Sequence, residues 1–191
     1  MHTLIELQVI PASDLTRSDH QAIRDLCTRA YAEDVWCDYD YLNSAYHVIG
    51  RDDGVIVSHA LWVDRLLVVG QGTPLKTAYV EYVATEPTRQ GQGLASQLLK
   101  FLIDYIQNDE LQFIDPQVPA SRYQLAALYP ENTAFYARLG WELWQGALHI
   151  RQDRQLIATP NDAVMIHRLG TTPNLSIEDS LSAEWRIGEL W

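Results

Sequence analysis

Two glycines stand directly ahead of an apolar-periodic segment in Gln90-Gly91-Gln92-Gly93-Leu94-Ala95, an arrangement able to bind an anion. Glycine lets the backbone approach a guest closely, and the first amides of a helix lack partners inside it, so a phosphate is attracted there. A pyrophosphate is the natural guest. The loop lacks the G-K-[ST] ending of a nucleotide P-loop, and a glycine turn serving conformation alone is the plainer alternative. Just upstream, Tyr79-Val80-Glu81-Tyr82-Val83-Ala84-Thr85 reads as a strand, giving strand, glycine loop and helix in succession. Cys27 and Cys37 form no C-x-x-C pair, and neither has an activating base nearby in sequence, so packing is the role expected of them and no thiol nucleophile is invoked. The six histidines, at 2, 20, 47, 59, 149 and 167, show no metal-ligand spacing, and no catalytic metal is expected.

The elements that must position these residues follow from periodicity. Residues 4–10 predict a first strand. Ser18-Asp19-His20-Gln21 has the form of a capping box, opening a helix with Ile23, Leu26, Cys27 and Ala30 on one face. The acid- and aromatic-rich stretch 33–41 keeps no period and reads as an exposed, substrate-facing loop or short helix. Strands at 48–51 and 55–69 flank Asp52-Asp53-Gly54, a hairpin signal, and Gly70-Gln71-Gly72 turns the chain into a strand at 75–85. That predicts an antiparallel meander of three strands. Leu94, Leu98, Leu99, Leu102, Ile103 and Ile106 then recur at helical spacing to about Gln107. The stretch 108–119, with two prolines, includes a loop. A strand at 123–128, a short helix at 132–139 stopped by Gly140, strands at 141–150 and 163–168, and an aromatic tail complete the chain. No repeat or low-complexity segment interrupts it.

At 191 residues and 47% hydrophobic composition, one core-bearing domain is expected, with no need of disulfide or metal staples. No stretch approaches the roughly 20 apolar residues of a membrane span, and the first residues lack a basic region ahead of an apolar one, so a cytoplasmic protein is expected. Fourteen basic against 25 acidic residues give a net charge of −11, which argues against nucleic acid or an anionic membrane as partner. A cationic substrate suits that balance, as does mere solubility.

The pattern Gln-x-x-Gly-x-Ala in the glycine loop resembles the coenzyme A pyrophosphate loop of the GNAT superfamily of N-acetyltransferases. Farther on, Asn132-Thr133-Ala134-Phe135-Tyr136 and Leu139-Gly140-Trp141 resemble that superfamily's tyrosine-bearing helix, in the right order. Within it, nearly the whole chain looks like an aminoglycoside 2′-N-acetyltransferase. The resemblance runs from Met1-His2-Thr3 through the Tyr-Val-Glu-x-Val-Ala strand and Phe135-Tyr136-Ala137-Arg138-Leu139-Gly140-Trp141 to the terminus Trp185-Arg186-Ile187-Gly188-Glu189-Leu190-Trp191.

This resemblance implies an α+β (mixed α/β) fold, the GNAT acyl-CoA N-acyltransferase fold, with a central, mostly antiparallel sheet flanked by helices. It implies one domain over 1–191 whose tail, from about 175, contacts substrate. Acetyl-CoA would be the acyl donor, held by Val83, Ala84, Thr85, Gln90, Gly91, Gln92, Gly93, Leu94 and Ala95. An alkyl amine is mostly ammonium at neutral pH and needs a base before it attacks, and the resemblance points to Glu81, acting through water. The alternative for Glu81 is an ordinary salt bridge. Tyr136 would protonate the departing thiolate, a tyrosine near 10 having a pKa above that of a thiol; a core tyrosine is its alternative. The Val83 backbone N–H would polarise the thioester carbonyl. The acceptor would be an aminoglycoside or another polycationic amine, met by Asp34, Asp38 or Asp40, Glu81, Tyr82, Asn161, Asp162, Glu189 and the carboxylate of Trp191. The tail could equally be an aromatic segment packed on the core. Asn161 stands where relatives often carry an acid, Glu189 replaces a shorter Asp, and 108–122 is longer than expected; these departures bear on substrate range. The resemblance further implies direct transfer and a homodimer. Its competitors are the same chemistry on an amino sugar, polyamine or cell-wall precursor, and a non-catalytic member that binds acyl-CoA or a drug.

Overall fold

The computed structural model describes residues 5–108 and 123–191. The expectations for Met1-His2-Thr3, for Leu4 and for the long stretch from residue 109 to Arg122 lie outside these residues. The chain forms two compact units, Met1–Val63 with Val80–Asp104, and Asp64–Tyr79 with Tyr105–Trp191.

In the first unit, β1 (Glu6–Pro11) pairs antiparallel with β2 (Tyr46–Asp52), from Glu6 opposite Arg51 to Pro11 opposite Tyr46. Strand β2 pairs antiparallel with β3 (Val55–Val69), from Tyr46 opposite Trp62 to Asp52 opposite Val55, with a register shift between Gly50 and Arg51. The predicted hairpin forms because Asp53 and Gly54 both take positive φ, 47° and 79°, the twist that a tight hairpin turn needs. Strand β3 neighbours β4 (Leu75–Thr85), completing the predicted meander. Ile56 to Val63 are buried without interruption, so this half of β3 is covered on both faces.

Helix α1 (Arg17–Tyr31) starts earlier than the sequence reading has it. Its cap is Thr16, whose Oγ1 accepts from the Asp19 N–H at 3.0 Å, whereas Ser18 lies inside the first turn. Both residues satisfy the pattern of a cap followed by a polar residue three positions on, and local sequence does not rank them. Ile23, Leu26 and Cys27 are buried at helical spacing as predicted. Helix α2 (Leu94–Gln107) buries Leu94, Leu98, Leu99 and Leu102, each contributing roughly 1.5–3 kcal/mol by leaving water. The 33–41 stretch contains no regular element before a 3-10 turn at Asp40–Ser44.

The second unit contains the ends of β3 and β4, Asp64–Val69 and Leu75–Tyr79, within the strand order β6-β9-β5-β4-β3-β10-β7-β8. Here β5 is Leu125–Leu128, β6 Glu142–Leu143, β7 Leu148–Gln152, β8 Gln155–Ala158, β9 Met165–Arg168 and β10 Leu181–Glu184. The predicted strand 141–150 is two strands. Between them Gly146 passes so close to the chain that an added Cβ would lie 1.8 Å from the Asp179 carbonyl oxygen, and Trp144 donates from Nε1 to the same oxygen at 2.8 Å. That contact turns the chain out of the sheet. The helix predicted at 132–139 is α3 (Thr133–Ala137), capped by Asn132, with Leu139 and Gly140 in the turn that follows. Strands β8 and β10 were not expected: β8 is exposed throughout, and β10 lies in the expected tail, parallel to β7 and antiparallel to β3. The mixed α+β class with a mostly antiparallel sheet is the one expected.

Candidate functional site

In the first unit the site is built around a kink in β4. Tyr82 has φ +51° in mid-strand, a left-handed conformation that costs a bulky side chain on the order of 1–3 kcal/mol unless its surroundings enforce it. Burial alternation fails at the kink, and Glu81, Tyr82 and Val83 are all half-buried. Side-chain donors hold the carbonyls around it. His59 faces the Tyr82 carbonyl through Nδ1 at 3.0 Å, and the Tyr31 hydroxyl donates to the Val83 carbonyl at 3.1 Å. The Tyr82 hydroxyl donates to the Val35 carbonyl at 3.4 Å, and burial pushes its pKa up to about 12.

Glu81 precedes the kink and accepts on Oε2 from the Tyr41 hydroxyl at 3.4 Å. Tyr41, the last residue of the 33–41 stretch, thus reaches the candidate base. Of the acids on that stretch, Asp34 and Asp40 are exposed, while Asp38 sits 3.4 Å from Arg24.

The glycine loop follows β4 through a short turn at Pro87–Arg89. Gly91 and Gly93 have φ +75° and +85°, backbone that only glycine adopts without strain. Arg89 braces the loop, donating from Nε to Gln92 Oε1 at 3.0 Å and from Nη1 to Asp52 Oδ2 at 2.7 Å. Gln90 donates from Nε2 to the Thr85 carbonyl at 3.4 Å. The first bond into α2 runs from the Gln97 N–H to the Gly93 carbonyl at 3.0 Å, so the amides of Leu94, Ala95 and Ser96 precede the ladder. An added Cβ on Gly91 would meet nothing within 4 Å. Open space at Gly91, a left-handed glycine loop and the helix-start amides ahead of the ladder fit the pyrophosphate of an acyl-CoA.

Five predicted residues, Tyr136, Asn161, Asp162, Glu189 and Trp191, belong to the second unit. Tyr136 is buried on α3, and desolvation, then the charge of Glu131, push its pKa up to about 12. The tail end and the 159–162 turn are brought together. Trp191 is buried and donates from its indole to Thr159 Oγ1 at 2.8 Å, while the Asp162 N–H closes the turn on the Thr159 carbonyl at 3.2 Å. Asn161 and Glu189 are exposed. Among the described residues, no three His, Cys, Asp or Glu side chains are placed to hold a metal ion.

Sequence reasoning missed two polar clusters. His47 and His59 are buried on β2 and β3, with His47 Nδ1 3.0 Å from His59 Nε2. Burial draws His47 down to about 4, helped by His20, and draws His59 well below its usual value. The signal was available, because the hairpin register sets His47 opposite Leu61, one diagonal step from His59. The other is Arg65, 2% exposed on β3. It donates to the Leu190 carbonyl from Nη1 and to the Glu184 carbonyl from Nη2, both at 2.7 Å, and to Glu184 Oε1 from Nε at 3.2 Å. A basic residue inside an apolar strand was its only trace in the sequence.

Comparison with known proteins places this arrangement. Residues 12–144 match the profile of the Acetyltransferase (GNAT) domain family. The aminoglycoside 2′-N-acetyltransferase of Mycolicibacterium fortuitum is 27% identical over 96% of this chain and 91% of its own. The fold is similar to that of the Escherichia coli GNAT family N-acetyltransferase YhbS, solved with CoA, at TM-score 0.57 and 18% identity over 98% of this chain and 97% of that one. It is also similar to Eis1 of Mycobacterium abscessus, at TM-score 0.57 and 16% identity, where 75% of this chain spans about a third, 32%, of the longer protein. The profile spans both the kinked strand and the glycine loop, and the chain belongs to the GNAT acetyltransferase family.

Proposed function

We propose that the protein is an acetyl-CoA-dependent N-acetyltransferase that acetylates the 2′-amino group of aminoglycosides by direct transfer. The observation that carries the substrate is the similarity to the M. fortuitum aminoglycoside 2′-N-acetyltransferase over nearly the full length of both chains. The reading takes residues 1–191 as one catalytic domain acting as a cytoplasmic homodimer, with the aminoglycoside inactivated as an antibiotic.

When bound, an acyl-CoA supplies an electrophilic thioester carbonyl and a thiolate leaving group. The amides at the start of α2, with Gly91 and Gly93, hold its pyrophosphate, and Val83, Ala84 and Thr85 line the adjoining strand. Glu81 accepts the proton of the ammonium through water, since a free amine is needed for attack. The Val83 N–H donates to the carbonyl oxygen as charge develops there. Tyr136 keeps its proton at any working pH. Its buried setting raises the phenol to about 12, which keeps it protonated and able to donate toward the departing sulfur. Its role in this reading is to donate a hydrogen bond, and with it the proton, to the departing sulfur.

A net charge of −11, the acids of 33–41 and Asp162 favour a polycationic amine. The engagement of Asp38 by Arg24, which takes one acid from that set, favours the second reading, another small cationic amine such as an amino sugar, polyamine or cell-wall precursor on the same machinery. Thiol release from acetyl-CoA should be measured against 2′-amino aminoglycosides, their 2′-hydroxy analogues, polyamines and simple amino sugars. Turnover confined to the 2′-amino compounds supports the proposal, and turnover only with the others replaces the substrate. Coenzyme A binding without turnover replaces the enzyme by a binding protein. In Glu81→Gln, kcat should fall roughly 100-fold or more with acetyl-CoA affinity kept.

A further inference from the structure

The buried histidine pair has no part in the chemistry just described, yet it ends on the residue that kinks the catalytic strand. His59 is fully buried and His47 is 2% exposed. Two contacts join end to end: His47 Nδ1 lies 3.0 Å from His59 Nε2, and His59 Nδ1 lies 3.0 Å from the Tyr82 carbonyl oxygen. A carbonyl can only accept, so the proton of the His59 ring resides on Nδ1. A neutral ring has one such proton, which makes His59 Nε2 an acceptor and requires His47 to donate from its own Nδ1. One acceptor at the end of the chain thus fixes both tautomers.

Trp36 seals the chain from solvent. Its ring centroid is 4.8 Å from that of Tyr82 and 6.3 Å from each of His47 and His59, and His20 meets its edge at 5.5 Å. Burial keeps both rings neutral, so the chain works as aligned dipoles. What it grips is the one residue of β4 with left-handed φ, between the candidate base Glu81 and the candidate oxyanion donor Val83. An apolar core in the same space would leave the Tyr82 carbonyl without this donor and the kink without its restraint.

We propose that His59, with its Nδ1–H selected by the Tyr82 carbonyl and its Nε2 satisfied by His47, is a positioning residue that holds the Tyr82 kink and so aims the Val83 backbone for acyl transfer. The inference rests on the acyl-transfer reading above, and its test has a readout independent of turnover. Nitrogen-15 NMR of the whole protein reports which His59 nitrogen carries the proton. Nδ1–H is expected, and Nε2–H would overturn the proposal whatever the enzyme does.

Turnover supplies the second arm. His59→Leu keeps volume and removes the donor, while His59→Asn keeps an amide N–H near the place of Nδ1–H. In a folded His59→Leu protein, kcat should fall roughly 30- to 100-fold, as misaimed catalytic groups cost, with the amine KM and the coenzyme A Kd within about threefold of wild type. His59→Asn should restore kcat to within about fivefold of wild type. A folded His59→Leu protein with wild-type kcat sinks the idea, as does His59→Asn losing as much as His59→Leu. Should His59→Leu fail to fold, His47→Phe retains the His59 donor and takes the partner from its Nε2. In that variant the Tyr82 carbonyl should still hold the proton on Nδ1 while the less restrained ring lowers kcat by about 5- to 10-fold, and a proton moved to Nε2 with full kcat overturns the proposal. Wild-type protein without acyl transfer would reject the functional reading, and the tautomer would still decide whether the pair holds the kink.

Discussion

Each compact unit buries a polar cluster against β-structure, and the two clusters use opposite chemistry. In the first unit the His47–His59 chain is neutral and ends on one backbone carbonyl, with an aromatic lid above it. In the second, Arg65 carries full charge, and Glu184 and two backbone carbonyls satisfy it while the Tyr79 ring lies 5.0 Å from its guanidinium carbon. Burial, then Arg186, draws the Arg65 pKa down, and Glu184 opposes them. A neutral chain avoids the desolvation of an ion and restrains one bend in a strand. A buried guanidinium costs more to desolvate but gathers several acceptors, so it pins the tail at residues 184 and 190 together. Local aim and long-range anchorage thus call for different side chains.

Removing the charge should have the largest effect. Arg65→Met strips three hydrogen bonds from the tail and should cost roughly 3–5 kcal/mol in urea unfolding. A loss under about 1 kcal/mol would mean that the pairing of β10 and the burial of Trp191 hold the tail without the guanidinium, erasing the contrast between the units.

Acid should single out the neutral chain. His47 titrates at about 4 when folded against 6.5 unfolded, so the unfolded chain takes up the proton first and stability falls as pH drops between those values. The loss from His47 alone approaches about 3 kcal/mol at pH 4, and His59 acts in the same direction. Asp19 follows at lower pH. The hydrogen bond from Arg51 depresses its pKa, so its contribution is present above 3.8 and is lost as pH falls through the lowered value. Unfolding free energies that stay level from pH 6.5 to 4 in wild type would show that the histidines are not held neutral.

Gly93→Ala tests the loop without touching either cluster. A side chain at φ +85° should cost about 1–2 kcal/mol and weaken coenzyme A binding about tenfold by calorimetry. The smallest effect should come from Thr159→Val, which takes the acceptor from the Trp191 indole. About 1 kcal/mol of stability and a rise in the amine KM, with the acetyl-CoA KM steady, would assign the tail to the acceptor side of the reaction.

The legible parts of the molecule share a cause. The 52–54 hairpin, the meander and the core face of α2 follow from turn chemistry and periodicity within a few residues of sequence. The glycine loop was legible because positive φ selects glycine. The divided strand at 141–150 was not, since Gly146 turns out of the sheet against Asp179, more than thirty residues away. Strand β10 was hidden for the same reason, its partners being β3 and β7.

Sequence by itself determined the family, the strand-loop-helix order and the candidates Glu81, Val83 and Tyr136, because each is written in contiguous residues. Tertiary structure alone decided that Tyr82 is left-handed, that His59 reaches its carbonyl, that Trp191 closes on Thr159 and that Arg65 holds the tail. Those outcomes depend on burial and on partners from 23 to 125 positions away, where the identity of a residue says little until the fold has chosen its neighbours.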